Sequence, residues 1–123
     1  MGDYDEEETT GSTVSLRAND DAELCALVSV DGRVTTHVLP AAATVLDIGR
    51  GVDCDLVIEH PSVSRHHAKL QLLPLSLTDM GSRNGTKVRG EWTEAGVPLP
   101  ISIGEAFQLG QATVLIHHKR LVT

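Results

Sequence analysis

Short apolar runs alternate with polar, glycine-containing connections along the chain from residue 24 onward. Around residue 70, Leu70 and Leu72 flank a single polar residue, which is the pattern of a strand with one buried face. Nine apolar runs have the length of β-strands: Leu24–Val30, Val34–Leu39, Val45–Ile48, Leu56–Ile58, Ala68–Leu73, Leu75–Thr78, Thr86–Val88, Ala106–Leu109 and Ala112–His117.

No stretch of the sequence has a sustained helical period, so the pattern predicts an all-β fold. Asp31-Gly32, between the first two runs, has the sequence of a two-residue hairpin turn. The 11 glycines and 5 prolines among 123 residues are typical of a strand-and-loop protein. A chain of this length forms one domain, and an antiparallel β-sandwich of two twisted sheets is the economical way to bury so many short strands.

The first 22 residues differ in composition from the rest of the chain. They are acidic, rich in Gly, Ser and Thr, and nearly free of large apolar side chains. Burial therefore cannot compensate the entropy of ordering them. We predict a disordered acidic tail over residues 1–22 and a folded domain over residues 23–120.

The formal net charge of -7 is concentrated near the amino terminus. Residues 1–23 contain eight acidic residues and one arginine, whereas residues 24–123 contain nine residues of each sign. Within residues 49–90 the balance is positive, with six basic and four acidic residues. A basic patch on a neutral domain suits a small anion, and an aromatic content of 2% argues against direct binding of nucleic acid.

Signals for export or membrane insertion are missing from the sequence. No charged segment followed by an apolar one opens it, and no apolar run approaches the roughly 20 residues of a membrane span. The two cysteines, Cys25 and Cys54, are expected to be reduced and buried. We expect a soluble, cytoplasmic monomer with no membrane contact, no cofactor and no metal ion.

Candidate chemistry is concentrated in three predicted loops. Gly49-Arg50 follows a strand end, where the arginine offers a planar fork that matches phosphate oxygens. Ser64-Arg65 supplies a hydroxyl and a second guanidinium group. Residues 81–86, Gly-Ser-Arg-Asn-Gly-Thr, form a polar turn whose amide side chain can both donate to and accept from a peptide backbone. Together these loops present donors for a phosphate and an amide for the chain that carries it.

The order of these motifs resembles the signature of the forkhead-associated (FHA) domain family. The resemblance is carried by Gly49-Arg50, Ser64-Arg65-His66-His67 and residues 79–86, and it extends over about residues 24–117. Each motif is common by itself, whereas the ordered set of three is specific. The resemblance implies a bacterial-type FHA sandwich of about eleven short strands that binds phosphothreonine peptides at one end and is not an enzyme.

The resemblance also implies roles for individual residues. Arg50 and Ser64 bind the phosphate oxygens, and Arg65 adds a second charge from the loop of the serine. Arg83 contacts the phosphothreonine from the next loop, and Asn84 hydrogen-bonds the backbone of the ligand. The complete predicted phosphopeptide-binding set is Arg50, Ser64, Arg65, Ser82, Arg83 and Asn84.

Three further residues are implied as structural support for the site. His67 supports the serine-bearing loop without touching the ligand, and Gly49 and Gly85 shape the backbone turns. His66 is expected to point outward. Because a phosphate adds about -1.5 to -2 charge and three acceptor oxygens, loss of the phosphate is expected to remove most of the affinity.

Two other classes of site are weighed against this one. Ser64, His67 and Asp79 are the residue types of a hydrolase triad, but the serine lacks the Gly-x-Ser-x-Gly elbow, so no catalytic residue is predicted. A metal site is disfavoured because no Cys-x-x-Cys or His-Glu-x-x-His pattern frames the available histidines: His60, His66, His67, His117 and His118.

The expected partner is a phosphothreonine-containing protein, either a kinase or a kinase substrate, in bacterial Ser/Thr kinase signalling. Thr9 and Thr10 follow three glutamates and resemble the phosphoacceptor segment of small bacterial FHA regulators, which implies self-inhibition by the phosphorylated tail. Two alternatives stay open. The chain is an N-terminal sensor domain of a larger transcription activator, or an interaction scaffold that ignores phosphorylation.

Overall fold

The computed structural model describes residues 23–40 and 42–118. The predicted tail with Thr9 and Thr10 lies outside these residues, as do the last two positions of the predicted domain. Within the described part the chain forms eleven strands: β1 Leu24–Val30, β2 Arg33–Val38, β3 Val45–Gly49, β4 Leu56–Val57, β5 Ala68–Leu72, β6 Leu75–Asp79, β7 Thr86–Val88, β8 Glu91–Trp92, β9 Leu99–Pro100, β10 Ala106–Leu109 and β11 Ala112–His118.

The strands form two sheets. The six-stranded sheet has the order β8-β7-β10-β11-β1-β2, and the five-stranded sheet has the order β9-β6-β5-β3-β4. The predicted all-β sandwich is therefore confirmed. Strands β3 and β4 differ from the antiparallel expectation because they run parallel, with Ile48 opposite Leu56. The intervening loop first returns along β3, where Asp55 N donates to Asp47 O (2.9 Å), so that β4 starts in the same direction.

The hydrophobic core lies between the two sheets and follows the alternation of the strands. In β5, Leu70 is fully buried while Lys69 and Gln71 are exposed, as the sequence pattern predicts. Each fully buried large apolar side chain contributes about 1.5–3 kcal/mol relative to an exposed one. The largest such residues are Phe107, Leu46, Ile48, Leu56, Leu70, Leu77, Leu109 and Ile116.

The predicted hairpin and the edges of the sheets show how local sequence sets the connections. Asp31 and Gly32 have φ values of 54° and 74°, the two positive values that a type I′ turn requires, and they join β1 to β2. Strands β8 and β9 are two-residue edge strands that the sequence pattern does not predict. Pro100 is tolerated in β9 because an edge strand can lack one donor.

One end of the sandwich collects the loops that carry the candidate chemistry. Strands β3 and β6 end there, and strands β5 and β7 begin there. Over residues 23–40 and 42–118, no helix has the length and hydropathy needed to cross a membrane.

Candidate functional site

The loop after β3 lies directly against the loop that precedes β5. Arg50 N donates to Ser64 O (2.9 Å), and Gly51 N donates to Arg65 O (3.0 Å). A Cβ atom on Gly49 would lie 2.2 Å from the Arg65 carbonyl oxygen. Since real Cβ atoms do not approach an oxygen so closely, only glycine at this position allows the two backbones to pair.

His67 is completely buried and bridges two of the loops. Ser64 N donates to its Nδ1 atom (3.0 Å), and its Nε2 atom donates to Gly85 O (3.0 Å). An amide N–H only donates and a carbonyl only accepts, so this histidine is the neutral tautomer with its proton on Nε2. Burial lowers the pKa of His67 and outweighs the opposing effects of the Gly85 bond and the Asp79 charge, which keeps the ring neutral.

Asp79, the last residue of β6, anchors the loop that follows. Its carboxylate is 4% exposed and accepts four hydrogen bonds. Oδ2 accepts from Gly81 N (2.9 Å) and Ser82 N (3.1 Å), and Oδ1 accepts from Ser82 Oγ and Thr86 Oγ1 (both 2.6 Å). Burial acts to raise the pKa of Asp79, but the hydrogen bonds from Ser82, Thr86 and Gly81 outweigh it and hold the pKa below its ordinary value.

The structural role of Asp79 is not among the sequence predictions. The signal for it is an Asp followed two and three residues later by Gly and Ser, since an Asp side chain commonly binds backbone N–H groups two and three positions on. This residue fixes the entry of the loop that carries Arg83 and Asn84.

The hydroxyl group of Ser82 is engaged within its own loop. It donates to Asp79 Oδ1 (2.6 Å) and accepts from Gly85 N (2.9 Å). Its proton is therefore directed to the Asp79 carboxylate, whereas the resemblance placed Ser82 among the residues that touch the ligand. Gly85 itself has φ of 84°, a left-handed conformation that favours glycine.

Ser64 and Arg83 connect the second and third loops. Arg83 N donates to Ser64 Oγ (2.9 Å), so the serine oxygen accepts one bond and keeps its proton for another acceptor. The guanidinium group of Arg83 extends from the same backbone position and is exposed.

Asn84 is held against the loop between β4 and β5. Its Nδ2 atom donates to Ser62 O (2.8 Å), and Ser62 Oγ accepts from Gln111 N (2.9 Å) in the turn before β11. The side-chain oxygen of Asn84 has no hydrogen-bond partner within residues 23–40 and 42–118. The bond to Ser62 O therefore orients the Asn84 side chain and leaves its oxygen available to accept a hydrogen bond.

The three loops enclose a cavity of about 140 Å³. Five of the six predicted ligand-binding residues line it, and Ser82 does not. Nε of Arg50 donates to Val63 O (3.0 Å), which fixes the guanidinium at the cavity. The other lining residues are Pro61, Ser62, Val63, Ser64, Arg65, Arg83 and Asn84.

The cavity is cationic because its three guanidinium groups are not neutralised. Arg50, Arg65 and Arg83 form no ion pair with any residue in the part of the chain that the structure describes, and no acidic residue lines the cavity. In contrast, Arg89 at the opposite end of β7 pairs with Glu105. Three unpaired guanidinium groups next to a serine hydroxyl form a site for a compact anion with several oxygens.

The hydrolase alternative is not supported by this geometry. Nδ1 of His67 is occupied by the backbone N–H of Ser64 rather than by the serine hydroxyl. Nε2 lies 3.9 Å from Asp79 Oδ1, beyond hydrogen-bond distance, and bonds Gly85 O instead. The imidazole therefore has no position from which to activate Ser64.

A sandwich that presents a cationic cavity on loops that hydrogen-bond one another has the architecture of a binding module. The model of the FHA domain family matches residues 46–110, more than half of the chain. The chain belongs to the FHA domain family, whose members are interaction modules rather than enzymes.

Curated relatives resemble this chain over a small part of their own length. The Arabidopsis thaliana FHA domain-containing protein PS1 is 30% identical over 115 residues, which cover 90% of this chain and 6% of that protein. The human Mediator of DNA damage checkpoint protein 1 is 33% identical over 90 residues, which cover 68% of this chain and 4% of that protein. The similarity is therefore confined to one domain of much longer proteins.

Solved structures share the fold. An FHA domain of Chlamydia trachomatis is 22% identical with a TM-score of 0.67, covering 80% of this chain and 99% of that chain. Mycobacterium tuberculosis EmbR, solved in complex with a low-affinity phosphopeptide, is 22% identical with a TM-score of 0.64 and covers 80% of this chain and 26% of that chain. A structure from a study of phosphothreonine-dependent FHA domain interactions is 24% identical with a TM-score of 0.66, covering 80% and 99%.

Proposed function

We propose that this FHA domain binds proteins carrying phosphothreonine through the cavity at the end of its sandwich. One observation carries the proposal: three guanidinium groups converge on a cavity of about 140 Å³ with no acidic residue in its lining. A phosphoryl group brings about -1.5 to -2 charge and three acceptor oxygens, which such a cavity can satisfy. An unmodified threonine hydroxyl offers neither.

Four of the proposed binding residues act on the phosphate, and one binds the peptide backbone. Arg50, with its Nε bond to Val63 O, directs its terminal nitrogens to the phosphate, and Ser64 donates its free hydroxyl proton. Arg65 and Arg83 add charge from two sides of the cavity. Asn84 accepts a hydrogen bond from the peptide backbone through its side-chain oxygen.

The supporting residues set the geometry before the ligand arrives. Gly49 permits the close pairing of the first two loops, and His67 ties the second loop to Gly85. Ser82 supports the third loop through its bonds to Asp79 and Gly85. A site whose donors are already oriented loses less entropy when it binds.

The test compares one peptide with and without its phosphate. A phosphothreonine peptide selected from an oriented library is titrated calorimetrically into the full chain, together with the unmodified peptide. We expect at least a hundredfold weaker binding of the unmodified peptide, since two charge-assisted hydrogen bonds contribute about 3–6 kcal/mol. Arg50→Ala should lose binding, and Arg89→Ala, which removes the same charge at the opposite end of β7, should not.

Equal affinity for the two peptides would instead identify a scaffold that ignores phosphorylation. Near-wild-type affinity of a folded Arg50→Ala variant would contradict the cavity as the binding site. Circular dichroism of each variant verifies that the sandwich is intact.

We also propose a place for the chain in bacterial Ser/Thr kinase signalling, since a Ser/Thr kinase must generate the phosphothreonine. The proposal is compatible with the bacterial origin of two of the solved structures that share the fold, those from Mycobacterium tuberculosis and Chlamydia trachomatis. In it the chain acts in the cytoplasm as a monomer, either as a separate regulator or as a sensor domain within a transcription activator. Sedimentation of the free chain tests the monomer, and a dimer at micromolar concentration would contradict it.

Charge complementarity supports regulation by the chain's own amino-terminal segment. Residues 1–23 carry eight acidic residues and include Thr9 and Thr10, while the cavity is cationic. Once phosphorylated, either threonine is a tethered ligand that competes with external peptides. The double variant Thr9→Ala/Thr10→Ala, treated with kinase, should bind external peptide more tightly than kinase-treated wild type. Equal affinity of the two treated proteins would exclude this regulation.

A further inference from the structure

Three possible metal ligands lie beside the cationic cavity, on the two loops that carry Arg50 and Arg65: Asp53, Cys54 and His66. One candidate ligand atom of each residue lies within 4.8 Å of the other two. Cys54 Sγ lies 3.8 Å from His66 Nδ1, and the Asp53 carboxylate lies 3.6 Å from His66 Nε2. A sulfur, a nitrogen and an oxygen donor from two loops thus lie close together.

These three ligand types are the ones that Zn²⁺ takes in proteins. In a tetrahedral zinc site, bonds of about 2.3 Å to sulfur and about 2.0 Å to nitrogen place these two ligand atoms roughly 3.5 Å apart. The distance of 3.8 Å between Cys54 Sγ and His66 Nδ1 is close to this value. The Asp53 carboxylate now lies against the other ring nitrogen, Nε2, so the exposed Asp53 side chain must rotate for its oxygen to reach an ion bound at Nδ1.

One of the three side chains is buried, and the other two are exposed to solvent. Cys54 is 8% exposed, whereas the side chains of His66 and Asp53 are 55% and 68% exposed. A surface cavity lined by Asp53 and His66, together with Arg50 and Arg65, opens this region to solvent. Asp53 and His66 are therefore accessible to an ion from solvent, while Cys54, which does not line this cavity, is the buried ligand of the three.

We propose that Asp53, Cys54 and His66 form a Zn²⁺ site with three protein ligands and one water molecule. Binding replaces the thiol proton of Cys54, which is released to solvent as the thiolate–zinc bond forms. That proton now lies in a hydrogen bond from Sγ to Arg65 O (3.2 Å), and the same carbonyl accepts from Gly51 N. Zinc therefore removes one of the contacts that hold the Arg65 loop against the Arg50 loop.

The sequence does not predict this site because its ligands follow no metal-binding spacing. Asp53 and Cys54 are adjacent, and His66 lies on a different loop. Only the pairing of the two loops, through Arg50 N and Gly51 N, brings them together.

The site is tested by metal titration of the full chain without an affinity tag. Wild type should bind one Zn²⁺ per chain, and Co²⁺ should produce the near-ultraviolet charge-transfer band of a thiolate ligand. The band should vanish in Cys54→Ser and persist in Cys25→Ser, which changes the other buried cysteine. His66→Ala should weaken Zn²⁺ binding at least tenfold, whereas His118→Gln, a change at another exposed histidine, should leave it unchanged.

Three results would overturn the proposal: no stoichiometric Zn²⁺ binding by wild type, a cobalt band that survives in Cys54→Ser, or equal zinc affinity in His66→Ala and wild type. Because His66 is exposed, its variant tests the site even where the buried cysteine variant fails to fold. None of these measurements depends on phosphopeptide binding, so the zinc site stands or falls independently of the proposed function.

Discussion

Replacing Asp79 with asparagine keeps the shape of the side chain and removes its charge. In the wild type the carboxylate accepts four hydrogen bonds at a buried position. Hydrogen bonds to a charged acceptor contribute about 1.5–3 kcal/mol each, and neutral ones about 0.5–1.5 kcal/mol. The Ser82 and Thr86 hydroxyls can rotate to accept from the new amide, so part of the loss is recovered. We expect Asp79→Asn to lower the free energy of unfolding by about 2–3 kcal/mol at neutral pH.

The pH dependence gives this prediction a second measurable feature. The folded pKa of Asp79 is depressed, so its contribution is present above the pKa of the unfolded carboxyl, about 4, and is lost as the pH falls through the folded value. The stability difference between wild type and Asp79→Asn should therefore be constant near neutrality and shrink below about pH 4. Urea unfolding from pH 7 to pH 3 measures both quantities.

The matched control for Asp79→Asn is Glu91→Gln, which removes a charge from an exposed residue of β8. That change should alter stability by less than about 0.5 kcal/mol. A destabilisation by Asp79→Asn that is no larger than that of the control would refute the anchoring role. A stability difference between wild type and Asp79→Asn that stays constant down to pH 3 would show that the charged form of Asp79 is not what the hydrogen bonds stabilise.

Three further predictions follow from the braced loops. Gly49→Ala should lower the free energy of unfolding by about 1–3 kcal/mol and weaken phosphopeptide binding, because the added Cβ collides with Arg65 O. Urea unfolding and calorimetry that match wild type would contradict this. His67→Asn should remove the part of the fall in wild-type stability that begins below about pH 6.5, because burial lowers the folded pKa of His67 and the unfolded chain takes up the proton first. The loss below about pH 4 that depends on Asp79 should persist, and an unchanged pH profile would exclude the role of His67. Trp92, the single tryptophan, is 63% exposed and lies against Gly85 in the third loop, so its fluorescence should change when phosphopeptide binds to that loop. Constant emission at saturating peptide would contradict binding at this loop.

Most of the sandwich follows from the spacing of apolar residues. The nine predicted runs correspond to nine of the described strands, and strands such as β5 bury alternate apolar residues, as Leu70 shows. Strand β2 is an exception, since all its residues are exposed except half-buried His37. Strands β8 and β9 were not predictable from the apolar pattern, since both residues of β8 are exposed and β9 contains a proline, and their pairing is set by β7 and β6. The parallel β3–β4 pair depends on the path of the loop between them.

The convergence of the candidate site was predictable only through the family resemblance. Arg50, Ser64 and Asn84 are up to 34 positions apart in sequence, yet they line one cavity because their loops share one end of the sandwich. The direction of the Ser82 hydroxyl was not predictable, since it depends on the positions of Asp79 and Gly85 in the folded loop. Hydrogen-bond partners within a loop are properties of its three-dimensional path.

The single proton of the His67 ring has a consequence for the conditions under which the domain works. Its two nitrogens face a donor and an acceptor that cannot exchange roles, so the braced loops require the uncharged ring. As the pH falls, a phosphomonoester takes up a proton near pH 6 and loses its second negative charge, and an imidazole in an unfolded chain takes up a proton near pH 6.5 and becomes positive. Mild acid therefore lowers the charge of a phosphorylated peptide and also lowers the stability of the domain, because the unfolded chain takes up the His67 proton before the folded chain does. Binding of a phosphoryl group in the cavity, as proposed above, should therefore be stronger at neutral pH than in mild acid.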